Sequence, residues 1–158
     1  MIEVSKGVFV ANQASGCIRA EVPGKAFVHA CKQPCHQRAV GYRGSLLPSH
    51  PLYLGMEQGN HLYLNLVDAQ VPIFRPGSFP MFRDFARRQY RAGSELVIHC
   101  NQGESRAPSL ALLFLAKDLK VLPADSFDAA RLEFEKLYPG YSPGRGIELF
   151  MRQHWPTL

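Results

Sequence analysis

The chain has 158 residues, enough to bury a full core and close to the usual size of one domain, and its 46% hydrophobic and 20% charged content excludes a disordered chain. Its longest apolar run, around residues 110–116, is far too short to span a bilayer, and Met1-Ile2-Glu3-Val4-Ser5-Lys6 has no secretory signal pattern; a cytoplasmic protein without membrane insertion is expected. A net charge of +5 favours anionic ligands by long-range steering, and four cysteines agree with a reducing compartment.

In chain order, residues 8–10 and 26–30 read as strands bounded by Gly and Pro clusters. Cys17 is read as unpaired. Residues 32–60, rich in Pro, Gly, His and Ser, are long for a connection and are expected to be a partly structured excursion or a substrate-facing loop. Within and beside it, Cys31-x3-Cys35-His36 is a metal half-site without a second cysteine pair, so no metal is expected. Tyr42, Arg43 and Tyr53 are read as surface-loop residues rather than the lining of a pocket entrance.

Residues 62–67 form the next expected strand, ending in Asp68 and a turn-prone Asp68-Ala69-Gln70-Val71-Pro72. Ser78 is placed as the cap of a helix carrying Phe79, Phe82, Ala86 and Tyr90, closed by Gly93. Arg83, Arg87 and Arg91, with Arg88 beside them, give that helix a basic face, read as solvated rather than as a docking patch. It lacks interleaved aromatics to stack bases, so nucleic acid is not the expected partner. Residues 95–99 form a buried strand, and Pro108 stands in the first turn of the apolar helix that follows. Phe127, Ala130, Phe134 and Leu137 mark another helix, and Ser142-Pro143 opens a last one with Ile147, Phe150, Met151 and His154 on one face. Strand, helix, strand in this order implies a right-handed crossover. An α/β fold with a central, mainly parallel sheet and helices on both faces is expected, with residues 1–158 forming one domain.

Between the 95–99 strand and its helix lies Val97-Ile98-His99-Cys100-Asn101-Gln102-Gly103-Glu104-Ser105-Arg106-Ala107-Pro108-Ser109. A loop curling into a helix N-terminus offers unpaired amides and partial positive charge, which cradle a phosphate and lower a thiol's pKa. Cys100 is thus the candidate nucleophile. The backbone of Asn101, Gln102, Gly103, Glu104 and Ser105 surrounds the phosphate, and the Arg106 fork holds two of its oxygens. Gly103 suits a turn of positive φ close to the ligand. His99 is placed to order the loop by hydrogen bonding. Because an alkoxide or phenoxide is a poor leaving group, an acid is needed as well. Asp68, at the same sheet edge, is the candidate, whereas Asp84 reads as an intrahelical charge partner.

His99-Cys100-x-x-Gly103-x-x-Arg106 resembles the signature loop of the cysteine-dependent protein phosphatases, and the short chain resembles their dual-specificity branch. The resemblance runs roughly from Lys6 to Trp155 and takes in the Gly7-Val8-Phe9-Val10-Ala11-Asn12 strand and the strand before Asp68. It implies a phosphotyrosine phosphatase-like fold and a metal-independent, cofactor-free hydrolysis of phosphate monoesters through a phosphocysteine. The implied substrates are phosphorylated proteins or peptides, on tyrosine and also on serine or threonine. Phosphoinositide phosphatases of this superfamily carry loop lysines, whereas the variable positions here are Asn101, Gln102, Glu104 and Ser105. An RNA 5′-phosphatase activity stays open on the basic charge; a sulfurtransferase would use a shorter loop. One position departs from the pattern. The family usually follows the arginine with Ser or Thr, whose hydroxyl assists departure of the thiolate, and here stands Ala107, which keeps open a binding module with little activity.

Overall fold

Short β-branched and aromatic segments separated by turn residues assemble, in the computed structural model of residues 1–158, into one six-stranded sheet. The strands are β1 (Ile2–Ser5), β2 (Val8–Ala11), β3 (Lys25–His29), β4 (Gly55–Gln58), β5 (His61–Leu64) and β6 (Glu95–His99), in the order β1-β2-β6-β3-β5-β4. The four inner strands run parallel, and the edges β1 and β4 pair antiparallel with their neighbours. The helices are α1 (Gln13–Gly16), α2 (Gln37–Val40), α3 (Ser78–Arg91), α4 (Arg106–Lys117), α5 (Phe127–Leu137) and α6 (Arg145–His154). The expected α/β class, mainly parallel sheet and helices on both faces are all present.

The two faces differ. Alternation along the strands sends Val8, Val10, Ala26, Val28, Leu62, Leu64, Leu96 and Ile98 into the main core with the apolar sides of α3 to α6. α4 is buried on nearly every side, as its uniformly apolar sequence requires. On the other face, Ala11, Phe27 and Val97 and then Cys31, Cys35 and Tyr63 form small clusters under α1 and the irregular helical turn Lys32–His36. The same alternation places His29, His61 and His99 on this thinner face, and all three are buried. No helix is long and apolar enough to cross a membrane.

Several expectations need correction. The 62–67 segment is a strand only as His61–Leu64. Leu66 is buried because its amide turns back to the Leu64 carbonyl and its own carbonyl accepts from Lys32, so apolar content there reports burial rather than strand pairing. Asp68 therefore lies on the connection beyond the strand, not at its end. Ser78 is the first residue of α3 and makes no capping bond; Gly77 is the cap, and the turn from Arg75 already satisfies the Ser78 and Phe79 amides through the Arg75 and Pro76 carbonyls. Gly93 does close α3, at φ 88°. The last helix opens at Arg145 rather than Ser142, because Ser142 and Gly144 are spent on bonds to the signature loop. The 32–60 stretch is partly structured, holding the helical turn, α2 and β4.

The basic face of α3 is mostly paired. Arg83 makes a two-pronged bond to the buried Asp118 carboxylate, Arg87 joins Asp84 and Asp118, and Arg88 joins Glu57. With these carboxylates beside it, that face is not a free cationic patch.

Candidate active site

The 100–105 loop starts where β6 ends and finishes in the first turn of α4, at the carboxyl edge of the parallel strands. Its shape is held from outside through its carbonyls. Asn101 accepts from the Gln13 amide, Gly103 from the Tyr138 hydroxyl, Glu104 from the Ser142 amide, and Ser105 from the Ser109 amide and hydroxyl. The amides of Asn101 to Ser105, by contrast, donate to no protein group. Gly103 has φ 81°, and a Cβ there would stand 3.1 Å from the Ala11 carbonyl, so the tight turn against β2 needs glycine. Burial, with Cys100 and Glu104 nearby, pushes the Tyr138 phenol above its ordinary value and keeps it a donor to the loop.

Cys100 is 2% exposed and its Sγ receives no hydrogen bond. Arg106 is buried as well. Its terminal nitrogens donate to the Leu66 carbonyl at 3.0 Å and to Asn101 Oδ1 at 2.7 Å, which fixes the guanidinium plane. Its Nε, fully buried, has no hydrogen-bond partner and lies 3.8 Å from Asp68 Oδ2. A buried guanidinium donor left unpaired is costly unless an anion completes it. Cys100, Arg106 and Asp68 line one cleft of about 350 Å³ together with Gln70, Asn101, Gln102, Glu104, Ser105, Ser142 and Gly144. The three candidate residues, from three separate parts of the chain, are thus brought together.

Asp68 sits on a held segment rather than the mobile loop its sequence suggests. Its Oδ1 accepts from the Ser105 hydroxyl at 2.9 Å, and Ser105 Oγ accepts in turn from the Gly144 amide. The Gly146 amide donates to the Ala69 carbonyl. Glycine is needed at Gly146, where a Cβ would meet the Ala69 and Val71 carbonyls at 2.3 and 2.4 Å; a Cβ on Gly144 would meet Asp68 Oδ1 at 2.4 Å and push the carboxylate aside. These two glycines were missed by the sequence reading. Gly144-Arg145-Gly146 before an amphipathic helix is the local signal, but its meaning depends on what packs against it.

Neither serine near Ala107 is free. Ser105 is committed to Asp68 and Gly144, and the Ser109 hydroxyl donates to the Ser105 carbonyl and meets Tyr141 Oη at 2.9 Å. His99 points away from the cleft. Its Nδ1 lies 3.4 Å from the Cys100 carbonyl and its Nε2 2.7 Å from His29 Nδ1. Burial pulls the His99 imidazole down to about 4, and that of His29 down to about 2, so both are neutral at neutral pH.

Tyr53 lines a separate cleft of about 190 Å³ with Lys32, Asn65, Val67, Arg75 and Ser78, which shares no lining residue with the Cys100 cleft. Tyr42 instead bonds His36 Nδ1, and Arg43 lines neither cleft.

No family model matches the chain. Over 64 residues, 40% of this chain and 10% of that protein, it is 30% identical to the tyrosine-protein phosphatase vhp-1 of Caenorhabditis elegans. The fold matches that of the human tyrosine phosphatase-like serine/threonine/tyrosine-interacting protein at a TM-score of 0.65 and 15% identity, over 96% of this chain and 93% of that one. Human DUSP28 matches at a TM-score of 0.65 and 14% identity, over 98% and 92%. The chain thus has the fold of these dual-specificity phosphatase structures, and the loop from Cys100 to Arg106 stands at the edge of its sheet. That fold is shared by proteins named as phosphatases and by one named as phosphatase-like.

Proposed function

We propose that residues 1–158 form one catalytic domain that hydrolyses phosphate monoesters, phosphotyrosine first and phosphoserine or phosphothreonine next, on proteins or peptides. The observation that carries this reading is the buried, unpartnered Arg106 Nε beside Cys100, on a loop whose amides are unspent. The anion that satisfies these donors also meets the thiolate. Cys100 attacks phosphorus, Arg106 and the loop amides stabilise the equatorial oxygens, and Asp68 protonates the leaving oxygen. Asp68 then takes a proton from the water that opens the phosphocysteine. His99 positions the loop from behind.

A second reading, a phosphoprotein-binding module with little turnover, is favoured by one feature. Ala107 supplies no hydroxyl, and both neighbouring serines are engaged elsewhere. Phosphate release from a phosphotyrosine peptide and from an aryl phosphate, each compared with Cys100→Ser, tests both. Turnover by the wild type that disappears in the variant while peptide binding persists supports the phosphatase. Peptide binding with no release by the wild type selects the module, and release unaffected by Cys100→Ser removes both mechanisms from this loop. A 5′-phosphorylated RNA in the same series would, if preferred over the peptide, overturn the protein substrate class.

A further inference from the structure

Behind the signature loop, on the thin face of the sheet, four soft donor atoms from separate segments converge. Parallel pairing of β3 with β6 sets His29 directly beside His99 at the ends of their strands. Cys17, just after α1, and Cys35, in the helical turn Lys32–His36, close over them. One donor atom from each of the four residues lies within 4.8 Å of every other. Cys17 Sγ is 3.4 Å from Cys35 Sγ, Cys35 Sγ is 3.9 Å from His99 Nε2, and His29 Nδ1 is 2.7 Å from His99 Nε2. We propose that Cys17, His29, Cys35 and His99 form a tetrahedral Cys2His2 site for a single zinc ion.

The metal follows from ligand chemistry. Two thiols and two imidazoles with no carboxylate are the donor set of structural zinc. With bonds of about 2.3 Å to sulfur and 2.0–2.1 Å to nitrogen, a tetrahedron has edges of roughly 3.3–3.8 Å. The S–S and S–N separations already sit near that range, and the two imidazole nitrogens, 2.7 Å apart, need to part by about 0.6 Å to reach its lower end. The outer partners also suit a metal. With a proton on His29 Nε2 facing His61 Nδ1 at 3.0 Å, and one on His99 Nδ1 facing the Cys100 carbonyl, the two nitrogens that face each other are both free to ligate. Tyr63 stacks on the His29 ring at 4.3 Å between centroids and holds its orientation.

The local sequence is shaped to bring Cys17 in. A Cβ on Gly16 would fall 2.5 Å from His99 Cβ and 2.7 Å from Ala11 Cβ, so only glycine lets α1 lie this close to the strand ends. His29, His99 and Cys35 are buried, whereas Cys17 stands at the rim, where an ion can enter. Binding exchanges two thiol protons, released to solvent, for two zinc–sulfur bonds, with no change of oxidation state. The site is not the half-site visible in the sequence. Cys31 is not among the donors, and His36 is occupied by Tyr42 and the Leu52 carbonyl. Its consequence is mechanical: the ion would tie α1, β3 and the 32–36 turn to the residue preceding Cys100.

The test uses the full chain, reduced and free of any affinity tag, with zinc and then Co²⁺ as probes. Expected are about one zinc per chain and, on Co²⁺ loading, intense thiolate-to-cobalt charge-transfer bands with visible absorption of tetrahedral strength. Cys17→Ser and Cys35→Ser should each weaken Co²⁺ binding by roughly 100-fold or more, with the far-ultraviolet circular dichroism unchanged. Cys31→Ser should leave the spectrum intact. None of these readouts depends on phosphatase activity. The proposal is overturned if the reduced wild type takes up no metal, if its cobalt spectrum lacks the thiolate bands, or if Cys31→Ser abolishes them as Cys17→Ser does. Isolation with a Cys17–Cys35 disulfide that, once reduced, binds neither ion also overturns it.

Discussion

In the proposed mechanism, Asp68 and Ala107 are the two residues whose chemistry bears most directly on the rate. Asp68 is held by Ser105 and lies 3.8 Å from Arg106 Nε, so it faces whatever oxygen the loop presents to it. Asp68→Asn should lower kcat by roughly 10²- to 10⁴-fold on an alkyl or unactivated aryl phosphate, the usual range for general acid catalysis. With a nitrophenyl phosphate, whose leaving group needs no proton, the loss should shrink; equal losses on both substrates would reduce Asp68 to a structural role. At position 107 the proposed mechanism has the missing hydroxyl bear on the second step alone. Stopped-flow with an activated aryl phosphate should therefore show a burst of phenol and a slow steady state, and Ala107→Ser should raise the steady-state rate without changing the burst. No burst in the wild type, with kcat unchanged in the variant, would mean that the alanine has no catalytic consequence. Both residues stand out in the sequence, Ala107 because it follows Arg106 directly and Asp68 because it follows the apolar segment 62–67 at a turn. The engagement of Ser105 and Ser109 was not, since it depends on Asp68, Gly144 and Tyr141 arriving from elsewhere.

At the scale of elements, the start of α6 decides where Asp68 stands. Gly146 takes the Ala69 carbonyl at a distance that leaves no room for a side chain, so the Asp68 segment and α6 position one another. Gly146→Ala should push that segment off the helix and misplace the acid while sparing the Cys100–Arg106 cradle. The expected result is a fall in kcat of roughly 10- to 10²-fold on unactivated substrates, with inhibition by vanadate nearly unchanged. An equal weakening of vanadate binding would show that the whole cleft had been disturbed. Elements with strong periodicity, α3 to α6 and the inner strands, were read correctly in kind. The edge strands β1 and β4 were not: Ile2 to Ser5 and Gly55 to Gln58 are short, half-exposed and bonded on one side only, so little apolar alternation marks them.

Across the whole molecule, the main core couples the sheet to the last helix through aromatic packing. Phe150 of α6 stacks on Phe79 of α3 at 4.6 Å between centroids and meets Phe74 edge-on, all three buried. Phe150→Ala should cost about 3–5 kcal/mol in urea unfolding, from lost transfer energy and the cavity left behind. A loss below about 1 kcal/mol would mean that α6 repacks freely.

The sequence by itself determined the α/β class, the parallel core and the strand–loop–helix setting of Cys100 and Arg106, and it offered Asp68 as the candidate acid. Those features follow from periodicity and from chemistry that needs particular residue types at short spacing. Only the tertiary structure decided which carboxylate and hydroxyl atoms meet, that α6 glycines seat the acid, and that Cys17 and Cys35 converge with His29 and His99. These juxtapositions join residues 18 to 82 positions apart, from the Cys17–Cys35 approach to the Cys17–His99 approach, and are set by strand register and by where a missing Cβ lets backbones approach. A single sequence shows where the glycines stand, but not what packs against them or which strands pair.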